Sequence, residues 1–378
     1  MRKASCIVIL LLLAMSGDAQ SPRPLFAPAA GSPLAVGTQP ADVAVGDVNG
    51  DGHLDILTAN VGSNNISVLL GNGRGGFRPA APVSAGDAPH LLAPADFNGD
   101  GTLDVAVTSH DSNDVVVLLG QGDAGFQPAP GSPFALVRGV QPHNHGLAAG
   151  DVNGDGKLDL VTSNHMAGSV SVLLGDGRGG FAPMSGSPFA VGRGPYPLAL
   201  GDINGDAWLD IATPSVAANS VTILLGTRTG FVPALGSPIA VLARPYFAAL
   251  GELNGDRNPD LVILHDDTSQ ISVLLGDGAG RFAPARTSPV DAGARGGGCV
   301  LADFNGDGRA DLAVGTGANT VVVLLNQASG EFAAGPGSPF PTGRGPWAIA
   351  GGDFNGDGKT DLVSANSGSN NVTVLVAR

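Results

Sequence analysis

The sequence predicts an all-β chain, a seven-bladed β-propeller with four-stranded blades and a ring closed by the N-terminal strand. Three observations predict it: the composition, a motif that recurs seven times, and two chain ends that complete each other. Gly and Pro supply 59 and 28 of the 378 residues. Both damage helix interiors, which excludes a long helical protein. Gly has no period of three, which excludes collagen. Hydrophobic residues reach 43 %, enough for a packed core and unlike a disordered acidic tail. The net charge of −14 argues against a nucleic-acid partner, which calls for a basic face.

In chain order, Arg2 and Lys3 precede the uncharged run Cys6 to Met15, and Gly17 and Ala19 stand at −3 and −1 of a cut after Ala19. That is the layout of a secretory signal peptide. The run is shorter than the about 20 apolar residues that span a bilayer, and no later stretch could span one. The expected organisation is a signal at 1–19 and one propeller domain at 20–378. The expected location is secreted, periplasmic or at the cell surface. Cys6 leaves with the signal, so Cys299 is the one remaining cysteine and no internal disulfide can form. Cys299 reads as a small buried residue of an inner strand. Some other device must staple the fold.

The pattern Asp-x-Asn-Gly-Asp-Gly-x-x-Asp starts at Asp47, Asp96, Asp151, Asp303 and Asp353, with altered copies at Asp202 and Glu252. The steps are 49, 55, 51, 50, 51 and 50 residues. Around each copy the pattern predicts four strands. Strand A is short and small-sided (Leu198 to Gly201), and strand B follows the motif (Leu158 to Ser163). Strand C is β-branched (Val170 to Leu174, Ile271 to Leu275, Val321 to Leu325), and strand D follows a Gly-rich turn (Gly180 to Val191). Phe77, Phe126, Phe181, Phe231, Phe282 and Phe332 recur where strand D begins and are assigned to blade core. Four strands per unit of this length describe a propeller blade. The segment Phe26 to Val36 is a D strand with no A, B or C before it. The chain finishes on Val372 to Val376, a C strand with no D after it. Joined, they complete a seventh blade and remove a sheet edge.

The motif has the chemistry of a calcium loop. Ca²⁺ takes six to eight oxygens from a tightly turning segment. Side chains at positions 1, 3, 5 and 9 and the backbone carbonyl at position 7 supply them. The predicted ligands are Asp47, Asn49, Asp51, His53 and Asp55; Asp96, Asn98, Asp100, Thr102 and Asp104; and Asp151, Asn153, Asp155, Lys157 and Asp159. They continue as Asp202, Asn204, Asp206, Trp208 and Asp210; Glu252, Asn254, Asp256, Asn258 and Asp260; Asp303, Asn305, Asp307, Arg309 and Asp311; and Asp353, Asn355, Asp357, Lys359 and Asp361. An EF-hand is excluded, because position 12 never carries the bidentate Glu. Positions 1, 5 and 9 hold 21 of the 33 acids. Loss of residues 1–19 takes the charge to −15, and seven Ca²⁺ would return it to −1. Ala207 and Arg257 replace the position-6 Gly, and Glu252 lengthens position 1. Five well-formed sites are therefore expected, with an impaired one at 202–210 and the weakest at 252–260. Trp208 either shields its loop or only packs.

These motifs resemble the FG-GAP/VCBS repeat family, including the N-terminal propeller of integrin α chains, over roughly residues 25–378. The name-giving pieces are altered here, as in Gly76-Phe77-Arg78-Pro79 and Gly180-Phe181-Ala182-Pro183. The resemblance implies a seven-bladed propeller with calcium in its A–B hairpins. It also implies extracellular recognition or adhesion, with a protein or carbohydrate ligand it does not identify.

Six residues before each motif stand Ala41, His90, His145, Tyr196, Tyr246, Gly297 and Trp347. That position lies in the D–A turn, so these side chains should ring the channel mouth opposite the calcium loops. His110, His165 and His265 in B–C loops, with His143 in an insertion beside His145, are placed on the same face. Rings around a concave mouth suit a sugar or a peptide. The alternatives are rings packed on Pro89, Pro195, Pro245 and Pro346, or a transition-metal site using His143 and His145. No Gly-x-Ser-x-Gly elbow or His-Glu-x-x-His is present, so a non-enzymatic role is expected. The other roles considered are a polysaccharide-active enzyme such as a lyase, and a purely structural surface component.

Overall fold

A computed structural model describes residues 23–112, 114–136, 143–328 and 330–378; the predicted signal peptide lies outside them. Among the described residues every regular element is a strand, and the strands form seven antiparallel sheets in the order A-B-C-D. Blade 1 is representative: A is Pro40–Gly46, B is Asp55–Asn60 and C is Asn65–Gly71. Its D is split into Phe77–Pro79 and Val83–Ser84, both paired to C.

Strand B is buried at every residue in all seven blades. Such a strand has neighbours on both faces, which is why runs such as Ile56-Leu57 replace an apolar/polar alternation. The core is seven apolar clusters, one between each pair of adjacent blades. Blade-1 residues Leu57 and Val68, for example, pack with blade-2 residues Val105 and Leu118. Of the six recurrent Phe residues, Phe231 is buried and the others are half-buried against these clusters. The largest fully buried rings are Phe97 and Phe354, at motif position 2. Cys299 is buried in the cluster between blades 5 and 6.

The split of strand D has a repeated polar solution. Where D leaves the sheet, one C-strand amide loses its backbone partner, and a buried amide needs another. A serine Oγ accepts it in six blades, as Ser187 does from Val172 N–H at 2.9 Å and Ser32 from Val374 N–H at 2.9 Å. The recurring Ser-Pro of strand D marks this site.

Ring closure is as the chain ends require. Phe26–Pro28 pairs with the last C strand, Asn371–Ala377, in the register Phe26↔Ala377 to Pro28↔Leu375. Leu34 and Ala35 pair with Val372 and Asn371. Phe26 also meets Phe304 and Phe340 edge-on, with centroids 5.6 and 5.4 Å away.

Candidate functional site

Strand A runs from one end of the ring to the other, so the two groups of predicted residues separate. The seven motif loops follow strand A. The aromatic positions, expected in the D–A turn, are instead the second residue of strand A at its opposite end in six blades, and Tyr196 stands just before the short strand A of blade 4. Of the 35 predicted loop residues, 28 lie in the A–B turns and the seven at position 9 open strand B.

The loops share one backbone design. Position 1 gathers amides: Asp47 accepts from Gly50, Asp51 and Gly52 at 2.8, 3.2 and 2.7 Å. Asn49 Oδ1 accepts from Asp51 N–H at 3.0 Å, and Asp51 accepts from His53 N–H at 2.9 Å. The amide of Asn49 also bonds Asp51, and this contact draws the Asp51 carboxyl below its ordinary range. Asp55 at position 9 is buried and takes the amides of Val48 and Gly71. Burial raises the position-9 carboxyls, to about 6 for Asp159 and Asp210. Both Gly positions need a left-handed backbone, at φ 73° for Gly50 and 81° for Gly52. The demand at position 4 was not read from the sequence, although Gly stands there in every copy.

The altered loops differ in how far they keep this design. Ala207 adopts φ 69° and its amide still reaches Asp202 at 2.9 Å, so the 202–210 loop has the full bond pattern. Its cost is the strain of a Cβ in the left-handed region, about 1 kcal/mol. In 252–260, Arg257 carries the same strain at φ 71°. Glu252 there takes the amides of Asn254, Gly255 and Asp256 on one oxygen, and the bond to position 6 made in the other six loops is missing among the described contacts. In 303–311, Arg309 sits on Asp307 at 2.6 Å, a cation already beside the loop. The Trp208 ring lies over Gly154 of the neighbouring loop, where an added Cβ would come within 2.9 Å of it. The donor set is oxygen throughout, which suits a hard cation. A carboxylate has about four acceptor sites on its two oxygens, so Asp47, which takes two amides on one oxygen and one on the other, keeps capacity for a metal on the second.

At the other end, the seven positions six residues before the motifs all line one axial cavity of about 800 Å³. Successive rings touch: His90 and His145 at 5.5 Å, His145 stacked on Tyr196 at 4.5 Å, and Tyr196 against Tyr246 at 4.7 Å. The preceding Pro89, Pro195, Pro245 and Pro346 are buried, while the rings are half-buried. Gly297 interrupts the ring for a steric reason. A Cβ there would lie 2.6 Å from the Trp347 carbonyl oxygen and 2.9 Å from its ring. Trp347 in turn lies under the Arg295 guanidinium, 4.6 Å from the ring centroid.

Two further tiers, of which the sequence placed only His110, His143 and His165, complete this face. Eight residues before each motif stand Gln39, Ala88, His143, Gly194, Arg244, Arg295 and Gly345. Fourteen after each first acid stand Val61, His110, His165, Val216, Asp266, Gly317 and Ser367. In all seven blades the second tier's amide donates to the first tier's carbonyl, at 2.8 to 3.1 Å. This bond fixes the turns and explains the placements. It also corrects the position of His265, which is one residue out of register with His110 and His165. His265 ends strand B, is 1 % exposed, and bonds the Ala243 carbonyl and Ser272 Oγ, so it is structural. The correct spacing selects Asp266, which bridges Arg244 and Arg295.

The face therefore has two chemical halves. One is a cluster of five imidazoles, where burial first and neighbouring histidines second push His90 down to about 4 and His145 to about 2. The other is the Arg244–Asp266–Arg295 bridge beside Trp347. Asp42 adds a carboxylate in the cavity wall, where it accepts Leu92 N–H at 2.9 Å. Burial raises its pKa to about 6. The folded chain thus favours the protonated acid. Its contribution is fully present below the ordinary carboxylate pKa and lost as pH rises through about 6. Asp42→Asn keeps an acceptor for Leu92. It should raise Tm by roughly 2–4 °C at pH 7.5 and change little at pH 4, read by thermal unfolding at both pH values.

The FG-GAP-like repeat family matches at residues 47–107, 96–162, 151–213, 253–314 and 303–364, well over half of the sequence. The chain belongs to the FG-GAP-like repeat family. No curated protein matches it. Among solved structures, BBS1N, crystallised with ARL6DN, superposes at TM-score 0.66 and 12 % identity, covering 94 % of this chain and 98 % of that one. A putative 6-phosphogluconolactonase from Bacteroides uniformis gives TM-score 0.62 at 14 % identity, with 80 % and 85 % covered. An Agrocybe aegerita lectin that recognises non-reducing terminal N-acetylglucosamine gives 0.55 at 20 % identity, with 88 % and 87 % covered. Identities this low speak for the shared fold alone. No helix among the described residues is long and apolar enough to cross a membrane.

Proposed function

We propose that this FG-GAP propeller is an exported, calcium-stabilised recognition protein that takes a glycan or peptide ligand at its axial cavity. The observation that carries the reading is the cavity itself. All seven blades contribute to it, and half-buried Tyr196, Tyr246 and Trp347 stand beside the paired charges of Asp266 and Arg295. Aromatic faces stack on the apolar face of a sugar ring or a side chain, while fixed donors and acceptors at the edge orient its polar groups. The acidic loops at the far end would hold Ca²⁺ through positions 1, 3, 5, 7 and 9. Bound there, each ion would crosslink its hairpin and offset two of the three negative charges crowded there. The family's reach into recognition supports a binding role; the fold neighbours include both a lectin and a lactonase and favour neither binding nor catalysis.

The test is a binding screen of the calcium-loaded protein against oligosaccharides and peptides, with product analysis of each mixture. Saturable binding without product is expected. Tyr196→Ala, Tyr246→Ala and Trp347→Ala should each weaken it by about tenfold or more, in line with the loss of one aromatic anchor. A ligand whose affinity ignores all three substitutions does not bind at this cavity.

A further inference from the structure

The histidines between blades 2 and 3 form a constellation that the recognition reading does not use. We propose that His110, His143 and His145 are a three-histidine site for one divalent transition ion of the Zn²⁺ class, with its remaining coordination position facing the axial cavity.

The three residues come from the three tiers described above. His110 follows strand B of blade 2, His143 immediately precedes strand A of blade 3, and His145 is the second residue of that strand. Their ligand atoms all lie within 4.8 Å of one another. His143 Nδ1 and His110 Nε2 are 3.1 Å apart. Two nitrogens on a tetrahedral Zn²⁺, at about 2.0–2.1 Å each, are separated by about 3.3 Å, so the pair needs little adjustment. His110 Nδ1 is 2.8 Å from Asp111 Oδ1. A carboxylate there, the usual outer partner of a metal-bound imidazole, accepts a hydrogen bond from Nδ1–H and so holds the tautomer whose Nε2 lone pair is free. His143 is held by its carbonyl, which accepts His165 N–H at 3.0 Å. Nearby, His90 Nδ1 and both side-chain polar atoms of Asn144 are buried with no hydrogen-bond partner among the described residues. Unpaired polar atoms of that kind mark a pocket shaped around something polar.

An all-nitrogen donor set favours Zn²⁺, Cu²⁺ or Ni²⁺ over Ca²⁺. Neutral imidazoles are the binding form. The site is particular to one blade pair, because the His143 tier elsewhere carries Gln39, Ala88, Gly194, Arg244, Arg295 and Gly345. His110 and His145 also line the cavity. Three protein ligands and an open position describe a site where an exogenous oxygen or nitrogen donor can bind the ion. The site is independent of the acidic loops at the other end of strand A, and it shares the axial cavity with the ligand proposed above.

The experiment uses the protein stripped with EDTA, returned to millimolar Ca²⁺ and dialysed against micromolar Zn²⁺. Elemental analysis should find one Zn²⁺ per chain. His143→Ala and His110→Gln should each lose at least about tenfold in Zn²⁺ affinity, with the calcium-loaded melting point unchanged. Co²⁺ in place of Zn²⁺ should give the intense visible bands of a four-coordinate site in the wild type and not in His143→Ala. No retained Zn²⁺, or affinity unchanged in both variants, overturns the site.

Discussion

Millimolar Ca²⁺ should raise the melting temperature of the protein by about 10 °C or more over the same protein in EDTA. An ion at about ten times its dissociation constant contributes about 1.4 kcal/mol per site. Extracellular modules bind at about 10⁻⁴–10⁻³ M, so five loops contribute about 7 kcal/mol at the tight end of that range. For a chain of this length that corresponds to about 10 °C, scaling from the entropy of unfolding per residue. The loops explain why the effect should be stabilising. Each crowds acids at positions 1, 5 and 9, and Asp55, Asp104 and their equivalents are raised by burial and by the neighbouring acids. A bound cation removes that repulsion. The order among loops is part of the expectation. Asp303→Ala should reduce the calcium increment by about one site, whereas Glu252→Ala should change it less, because Glu252 already lacks the position-6 bond. Equal melting curves in EDTA and Ca²⁺, with no calcium by elemental analysis, would leave the motifs as metal-free turns.

Deleting residues 20–36 should lower the melting temperature by roughly 10 °C and drive association. The cut removes both pieces of the closing strand and stops before Thr38 and Gln39, whose carbonyls hold Gly62 and Val61. It leaves blade 7 with three strands and exposes the edge of Asn371–Ala377, a template for pairing with another chain. It also takes Phe26, 3 % exposed, from the cluster between blades 6 and 7. A fully buried Phe contributes about 1.5–3 kcal/mol, and Ala27 and Ala29 leave with it. Adding back a peptide of residues 23–36 should restore part of the loss. A monomeric truncation with an unchanged melting point would mean that the ring does not depend on this strand.

Much of the architecture was legible because a repeat states each requirement seven times. A single Asp-x-Asn-Gly-Asp-Gly turn is weak, but seven at one spacing gave blade number, strand order and the register of the aromatic ring. The orphan strand at Phe26 to Val36 and the missing one after Val376 gave the closure. Local chemistry was legible for the same reason: Ala207 and Arg257 stand in the left-handed backbone that the Gly pattern demanded.

What the sequence hid was the detail set by alternation and by contacts between blades. His265 looked equivalent to His110, but a one-residue shift along a strand turns a side chain to the opposite face, and the structure buries it. The correct spacing brings in Asp266, which joins Arg244 and Arg295 across 51 residues of sequence. Gly297 reads as a gap in a ring, and only the approach of Trp347 shows why no larger residue fits. The Ser-Pro of strand D gave no hint that its hydroxyl closes an amide left open in strand C. The sequence by itself determined the all-β repeat, its seven units, its seven acidic loops and the position of the aromatic face. The tertiary structure alone decided which side chains meet there, because those contacts join residues of different blades, and no period within a single blade encodes them.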